Sequence, residues 1–364
     1  MTKRVLLISN TAFSIRKFRK ELILRLQNEG YEVILSLPER DENLENELGV
    51  KNVVIPYARR SKNVFKDLFF IKDLYKLFKF VNPDVILTFT IKPNIYGSFA
   101  SRLSGHKQIC TITGTGQSFL KKNYLYYGVR FLYQQAFKHH KTLIFQNEND
   151  RLFFRDNHMF KGDAHVLSGS GVNLELFDPK PYPKIEPLRF IFVGRILHLK
   201  GIDLYLDAAK YLKDAYPVKF SVVGDLEEQS YSEKIKRAHD EGIIEYFGYH
   251  EDVRSFIETH HCLVLPSLSG EGIPNSVLEA NAMARPCIVS NLFGCTEIIK
   301  NGVNGYIFES GNFEDLVQVL LLFIQDSEEK RNQMGLNGRM IVEQSFSRDK
   351  VNQHYLELIE STCS

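Results

Sequence analysis

Residues 261–309 read HCLVLPSLSGEGIPNSVLEANAMARPCIVSNLFGCTEIIKNGVNGYIFE, and the order of patterns within them decides the fold class. The apolar run Cys262–Leu265 has the length and continuity of a strand buried on both faces. A loop rich in Ser and Gly, 266–274, follows it. Residues 275–284 then carry apolar side chains at helical spacing: Val277, Leu278, Ala282 and Met283. A second strand-like run, 286–290, comes directly after. Strand, loop, helix and strand in this order make a unit of a parallel sheet, and such sheets bind ligands outside the carboxyl ends of their strands.

Two carboxylates bracket the turn. Glu271 stands in the loop between Gly270 and Gly272, and Glu279 lies about one turn into the helix. Flanking glycines let the backbone come close to a ligand. The helix start offers unpaired N–H groups and a positive dipole end, which suit phosphate. Carboxylates beside it suit the hydroxyls of a sugar or ribose, because they accept hydrogen bonds from them. The same spacing admits a second reading. Ser276-x-x-Glu279 has the form of a capping box, in which Glu279 merely satisfies backbone donors.

A further motif, GRILHLKG at 194–201, follows the first strand of the second half. Gly194 permits a tight turn, Arg195 can grip a phosphate through two N–H groups, and Lys200 adds a point charge just before a helix. Two cations at a strand end beside a helix start suit a pyrophosphate.

The paired glutamates with GIPNSVL between them, together with GRILHLKG, resemble the family 4 retaining glycosyltransferases. Three loops resemble the bacterial branch of that family, which extends lipid-linked sugars for surface polysaccharides and glycans. They are TFTIKPN at 88–94, TITGTGQSF at 111–119 and SGSGVNLELFDP at 168–179. The resemblance implies an α/β chain of GT-B fold, two facing Rossmann-like domains with a nucleotide-sugar donor in the cleft. It implies catalytic roles for Arg195, Lys200 and Glu271, the cations holding the donor diphosphate and Glu271 the donor sugar. It places Gly194, Ile273, Asn275 and Glu279 with Arg195 and Lys200 around the nucleotide, Glu279 on its ribose. Lys92, Thr113, Gly114 and Gly116 fall on the acceptor side. Many family members carry a His after the strand that precedes Thr113, and no such His is present here. The family's glycines in the first loop are also absent from 10–14.

The rest of the chain fits two such domains. Strand-like runs recur at 4–10, 32–37, 53–57, 84–90, 108–113 and 143–147, with helical stretches between, the first at 15–29. The stretch 179–187, PKPYPKIEP, has four prolines in nine residues and reads as an extended linker. Six further strands are expected at 190–193, 219–223, 244–247, 263–265, 287–290 and 306–308. The domains are therefore drawn at 1–178 and 188–346. The amphipathic stretch 347–359 opens a terminal segment, 347–364, that in the family crosses back to the first domain.

Composition bounds the class. Hydrophobic residues make up 44% and charged residues 25%, a globular balance. No apolar run approaches a membrane span, and the basic start and apolar run of MTKRVLLISN lack a small-residue cleavage site, so a first strand is expected there. Cys110, Cys262, Cys287, Cys295 and Cys363 form no C-x-x-C, and read as free thiols in a reducing cytoplasm. Charge is uneven. Residues 1–178 hold 27 Lys and Arg against 17 Asp and Glu, a balance of +10, and the remainder carries −8. The first half should therefore face something anionic.

Two basic, aromatic stretches sharpen that expectation. Residues 59–81 read as a core helix whose lysines reach solvent, or as an interfacial helix. Residues 119–141 set Lys121 and Lys122 beside Tyr124, Tyr126 and Tyr127, a mix that suits a lipid–water interface, single-stranded nucleic acid, or a plain surface helix and loop. A peripheral position on the inner face of the cell membrane follows as the expectation, with a polyprenyl-diphosphate-linked sugar as acceptor. A nucleic-acid binder would account for the basic half but not for the paired-glutamate loop. No Asp-x-Asp occurs anywhere, so no metal is expected, and Arg195 and Lys200 are assigned the charge stabilisation. A UDP-sugar epimerase of related fold and a non-catalytic sugar-binding protein are the alternatives. An epimerase needs acid and base residues in the cleft that the sequence does not offer.

Overall fold

The computed structural model describes residues 2–57, 64–114, 119, 122–269 and 271–363. Thr115, Gly116, Lys121, Gly270 and residues 58–63 lie outside the described residues. The chain divides into two compact units, Met1–Ser170 with Asp349–Ser364, and Gly171–Arg348.

The first unit is built on seven parallel strands: β1 (Arg4–Ile8), β2 (Glu32–Ser36), β3 (Lys51–Asn52), β4 (Val85–Phe89), β5 (Gln108–Ile112), β6 (Thr142–Phe145) and β7 (Asp163–Val166). Their order is β3-β2-β1-β4-β5-β6-β7. Alternation along β1 divides its side chains between two cores. Val5 and Leu7 pack with Leu22, Ile23 and Leu26 on one face, and Leu6 and Ile8 with Leu74, Phe78 and Phe137 on the other.

Several expected elements move here. Residues 15–29 form two helices, Ala12–Phe18 and Lys20–Asn28, parted at Arg19. The Arg19 guanidinium is drawn in over the Phe89 ring, 4.2 Å from its centroid. Residues 53–57 are not a strand, although Val53 and Ile55 still donate to Leu35 and Leu37 along the end of β2. β7 escapes sequence reading because it is an edge strand, mostly exposed, with no apolar run. Helix Val64–Val81 buries Phe70, Leu74, Leu77, Phe78 and Val81 and exposes Lys72, Lys76 and Lys79, as a core helix does. The terminal helix, Arg348–Cys363, buries Val351, Tyr355, Leu356 and Ile359 in the first unit's core.

The second unit holds six parallel strands: β8 (Leu188–Val193), β9 (Val218–Val223), β10 (Glu245–Tyr246), β11 (Cys262–Leu265), β12 (Cys287–Ser290) and β13 (Gly305–Phe308). The order β10-β9-β8-β11-β12-β13 reverses direction between β8 and β11. This is the Rossmann arrangement, and the crevice outside the carboxyl ends of β8 and β11 is its switch point.

The proline-rich stretch 179–187 falls within the second unit. Arg285, 1% exposed, reaches across to it: Nη1 donates to the Lys180 carbonyl at 3.0 Å and Nη2 to the Pro181 carbonyl at 2.9 Å. The same guanidinium also serves the carbonyls of Glu258, Met283 and Ala284. Five donors in a planar fork make such multiple service possible.

Two buried histidines at the start of β11 give this unit a pH dependence. His260 Nδ1 lies 2.6 Å from the Phe256 carbonyl, so it carries the proton, and Nε2 accepts from Ser221 at 2.9 Å. His261 Nδ1 accepts from the Arg189 N–H at 3.0 Å. Burial pushes both imidazoles down from 6.5 to about 4. The unfolded chain therefore binds more protons than the folded one between these values. The stability contributed by neutral burial is full above pH 6.5 and drains as pH falls towards 4. Urea melts at pH 7.5 and 5.0 should show a lower midpoint at pH 5.0, and a flat response would discard the assignment.

Candidate active site at the β8–β11 switch point

The loop after β8 and the loop after β11 touch through a glycine. Gly201 has φ +71°, and a Cβ there would stand 1.7 Å from the Pro266 carbonyl oxygen. Leu268 N–H donates to the Leu199 carbonyl at 2.9 Å and ties the two loops a second time. Lys200, next to that glycine, is thereby set against the Glu271 loop. Its Nζ lies 2.5 Å from Glu271 Oε1, and the Ser267 hydroxyl donates to the same oxygen. The Glu271 side chain is only 5% exposed and that of Lys200 22%, so the pair sits in a weakly screened crevice.

Loops after the next two strands close on the same spot. A Cβ at Gly294 would stand 1.5 Å from the Gly272 carbonyl oxygen, so only glycine lets helix Phe293–Ile298 start there. After β13, Ser310 Oγ donates to the Ser267 carbonyl at 3.0 Å. Burial, reinforced by the Glu271 carboxylate, pushes the neighbouring Cys295 thiol well above its ordinary range, leaving it an inert wall.

Arg195 is held differently. Its Nη1 pairs with Glu227 Oε2 at 2.5 Å, in the loop after β9, and its side chain stays 56% exposed. Ile196 N–H to the Asp225 carbonyl, 2.7 Å, binds these loops side by side. The cation is thus presented at the strand ends by a partner that leaves most of it open to solvent.

Helix Asn275–Ala282 bears on the capping-box reading of Glu279. Its N-cap is Pro274, and no side chain caps it. Pro fixes φ at the helix entry, and the helix starts two residues earlier than a Ser276 cap requires. Ser276 is therefore inside the helix, and the capping box is not formed. Glu279 is 3% exposed, Ile273 is buried, and Asn275 is half-buried at the first helical position.

Candidates in the first unit lie at the carboxyl ends of β4 and β5. Lys92, second residue of helix Ile91–Ser104, is ion-paired to Asp67 at 2.7 Å. Asp67 also accepts from Tyr96 Oη at 2.6 Å, and burial with that bond pushes the Tyr96 phenol up. Lys92 therefore fastens helix Ile91–Ser104 to helix Val64–Val81. Thr113 is exposed just past β5, Gly114 follows with φ +137°, and Gly116 is outside the described residues.

Sequence reading missed Ser267, Glu227, Gly294 and Ser310. A hydroxyl four residues before Glu271 was a usable signal for Ser267. Glu227 carried none, because its approach to Arg195 depends on which strands are neighbours.

Chemically, the site offers a lysine and an arginine for an anion from the segment after β8, and two carboxylates for hydroxyls from the loop and helix after β11. Comparison with known proteins agrees with it. Residues 4–147 match the family model described as glycosyl transferase 4-like, and residues 177–340 that described as glycosyl transferases group 1. The chain is 27% identical to the N,N'-diacetylbacillosaminyl-diphospho-undecaprenol alpha-1,3-N-acetylgalactosaminyltransferase of Campylobacter jejuni, with 98% of each chain aligned. It is also 27% identical to the UDP-Gal:alpha-D-GlcNAc-diphosphoundecaprenol alpha-1,3-galactosyltransferase of Escherichia coli, over 85% of this chain and 84% of that one. A solved glycosyltransferase from Rickettsia africae superposes with a TM-score of 0.82 at 19% identity, covering 99% of this chain and 98% of its own. The fold is GT-B, and the chain belongs to the group 1 and family 4-like glycosyltransferases.

Proposed function

We propose that the enzyme moves a hexose or N-acetylhexosamine from a UDP-sugar to a polyprenyl-diphosphate-linked sugar, with retention at the anomeric carbon and without a metal. The observation that carries this reading is the Lys200–Glu271–Ser267 cluster at the switch point of the second sheet. The names of the Campylobacter and Escherichia relatives, both transferases of diphospho-undecaprenol-linked sugars, support the acceptor class.

In this reading Lys200 and Arg195 stabilise the diphosphate as the anomeric C–O bond breaks. An ammonium has three donors, so Lys200 can hold Glu271 with one and phosphate oxygens with the others. Glu271 accepts from donor-sugar hydroxyls and Glu279 from the ribose, while Gly194, Ile273 and Asn275 border the nucleotide. The acceptor hydroxyl attacks the same face that the diphosphate leaves. Its oxygen bonds to the anomeric carbon, and its proton passes to the departing phosphate oxygen.

The enzyme works, in this reading, at the anionic inner face of a membrane. The helices covering one face of the first sheet expose Phe69, Phe80, Tyr124, Tyr127 and Phe131 among Lys72, Lys76, Lys79 and Lys122. Aromatic rings with cations are the mix that headgroups favour. No helix among the described residues is long and apolar enough to cross a membrane.

Three measurements test these assignments. Arg195→Ala and Lys200→Ala should each lower turnover about a hundredfold or more while the chain stays folded, and EDTA should leave wild-type turnover unchanged. Near-normal turnover in either folded variant removes that residue from the diphosphate site. Calorimetry of UDP binding separates the glutamates. Glu279→Gln should weaken UDP with little change in melting, whereas Glu271→Gln should lower turnover more than UDP affinity. Equal UDP affinity in Glu279→Gln and wild type ends the ribose assignment. For the membrane, flotation with phosphatidylglycerol vesicles should exceed that with neutral ones, weaken with salt, and fall in a Lys121→Glu, Lys122→Glu variant. Equal flotation with both vesicle types counts against docking.

A further inference from the structure

Lys200 is held by its neighbours in the chain as well as by Glu271. His198–Lys200 is a single 3-10 turn, and Gly201 passes the chain from it into helix Ile202–Leu212. Asp203 lies in the first turn of that helix. Its carboxylate reaches back to the 3-10 turn, where Oδ2 meets His198 Nδ1 at 3.1 Å. An ionised carboxylate only accepts, so Nδ1 carries the proton. The two side chains thus close a ring around Lys200 and Gly201, with His198 on the amino side and Asp203 on the carboxyl side.

The same carboxylate is anchored to a different part of the unit. Tyr231 Oη donates to Oδ2 and Lys234 Nζ to Oδ1, each at 2.5 Å. Both donors follow β9: Tyr231 ends the turn Gln229–Tyr231, and Lys234 lies in helix Ser232–Asp240. Tyr231 is buried and belongs to the second unit's core, so the anchor is a firm one. Burial would raise the Asp203 carboxyl, but the bonds from Lys234, Tyr231 and His198 outweigh it and hold the group below its ordinary range.

An acid in the first turn of a helix is favoured by the helix dipole even when it faces only solvent. Asp203 does more, because both of its oxygens serve side chains from outside its own helix. Its position explains the use. On the β11 side, the segment around Lys200 is held through backbone, by the bond from Leu268 to Leu199 and the close approach of Gly201 to Pro266. On the β9 side it is held through carboxylates. Glu228 Oε2 accepts from the His198 N–H at 3.4 Å, and Asp203 takes the His198 ring.

We propose that Asp203 is a positioning residue for Lys200: through His198 and the helix start it fixes the turn that aims the Lys200 ammonium into the switch-point crevice. It acts on the diphosphate only through that ammonium. The inference rests on the diphosphate role given to Lys200 above. A cation held in place before the ligand arrives loses less on binding than one that must be ordered then, and a small misplacement is costly.

The test is a double-mutant cycle on the full chain, read by calorimetry of UDP. Asp203→Ala should weaken UDP about tenfold alone, and less than about twofold when Lys200→Ala is already present, because no ammonium then remains to be aimed. His198→Ala opens the ring but leaves Tyr231 and Lys234 on Asp203, and should show the same pattern at about threefold. Asp203→Asn keeps an acceptor for His198 and Tyr231 and should recover most of the affinity that Asp203→Ala loses. Melting of each variant checks the fold, and if Asp203→Ala does not fold, the His198→Ala arm decides. UDP affinity unchanged in the folded variants, or a loss of equal size with and without Lys200, makes the cluster structural only and overturns the proposal. Wild-type UDP affinity in Lys200→Ala removes the diphosphate reading and this inference with it. A weakened Lys200→Ala whose further loss on Asp203→Ala is undiminished removes the inference alone.

Discussion

The carbonyl of Pro266 occupies the space where any side chain at residue 201 would begin. That contact, available only to glycine and strained for anything else at φ +71°, is what the candidate active site depends on. It presses the β8 loop onto the β11 loop at the point where strand order reverses. Lys200 is thereby set with its ammonium beside Glu271, whose carboxylate Ser267 also holds. A buried ion pair of this kind is a poor source of stability, because desolvation offsets most of the attraction. Its physical value is orientation: both charges are held in place before a ligand arrives, so little reorganisation remains for the reaction.

The remaining charged groups follow the same logic to different ends. Arg195 is steadied by Glu227 yet left 56% exposed, which suits a cation that must meet a ligand. Lys92 is consumed by Asp67, which suits a fastener between helices. Arg285 is buried with both terminal nitrogens on backbone carbonyls, so it acts as a clamp on the proline-rich segment. The number and kind of partners, more than the residue type, separates these roles.

Charge distribution also differs between the units in its use. In the second unit the cations of the site are each matched to a carboxylate. In the first, Arg102, Lys107 and Lys141 line one cavity, and among the described residues no acid lines it with them. The surplus of +10 over residues 1–178 is therefore not spread evenly over a solvated surface.

What the sequence determined by itself was local and periodic. Apolar runs placed β11 and β12, and the apolar stretch 59–81 with its lysines marked a helix, core or interfacial, because burial writes its pattern into consecutive residues. Resemblance added the family and nominated Arg195, Lys200, Glu271 and Glu279. Tertiary structure decided what those residues touch. It left the capping box unformed by starting the helix at Asn275 behind Pro274, set the proline-rich stretch within the second unit, and took up Lys92 with Asp67. It also brought in Ser267, Glu227, Gly294 and Ser310, and it formed the basic cavity from segments some 250 positions apart, as the bond from Lys107 to Thr362 shows. Such contacts leave no period in the chain. They arise where the order of strands in a sheet sets loops side by side, and that order is settled by packing across the whole unit.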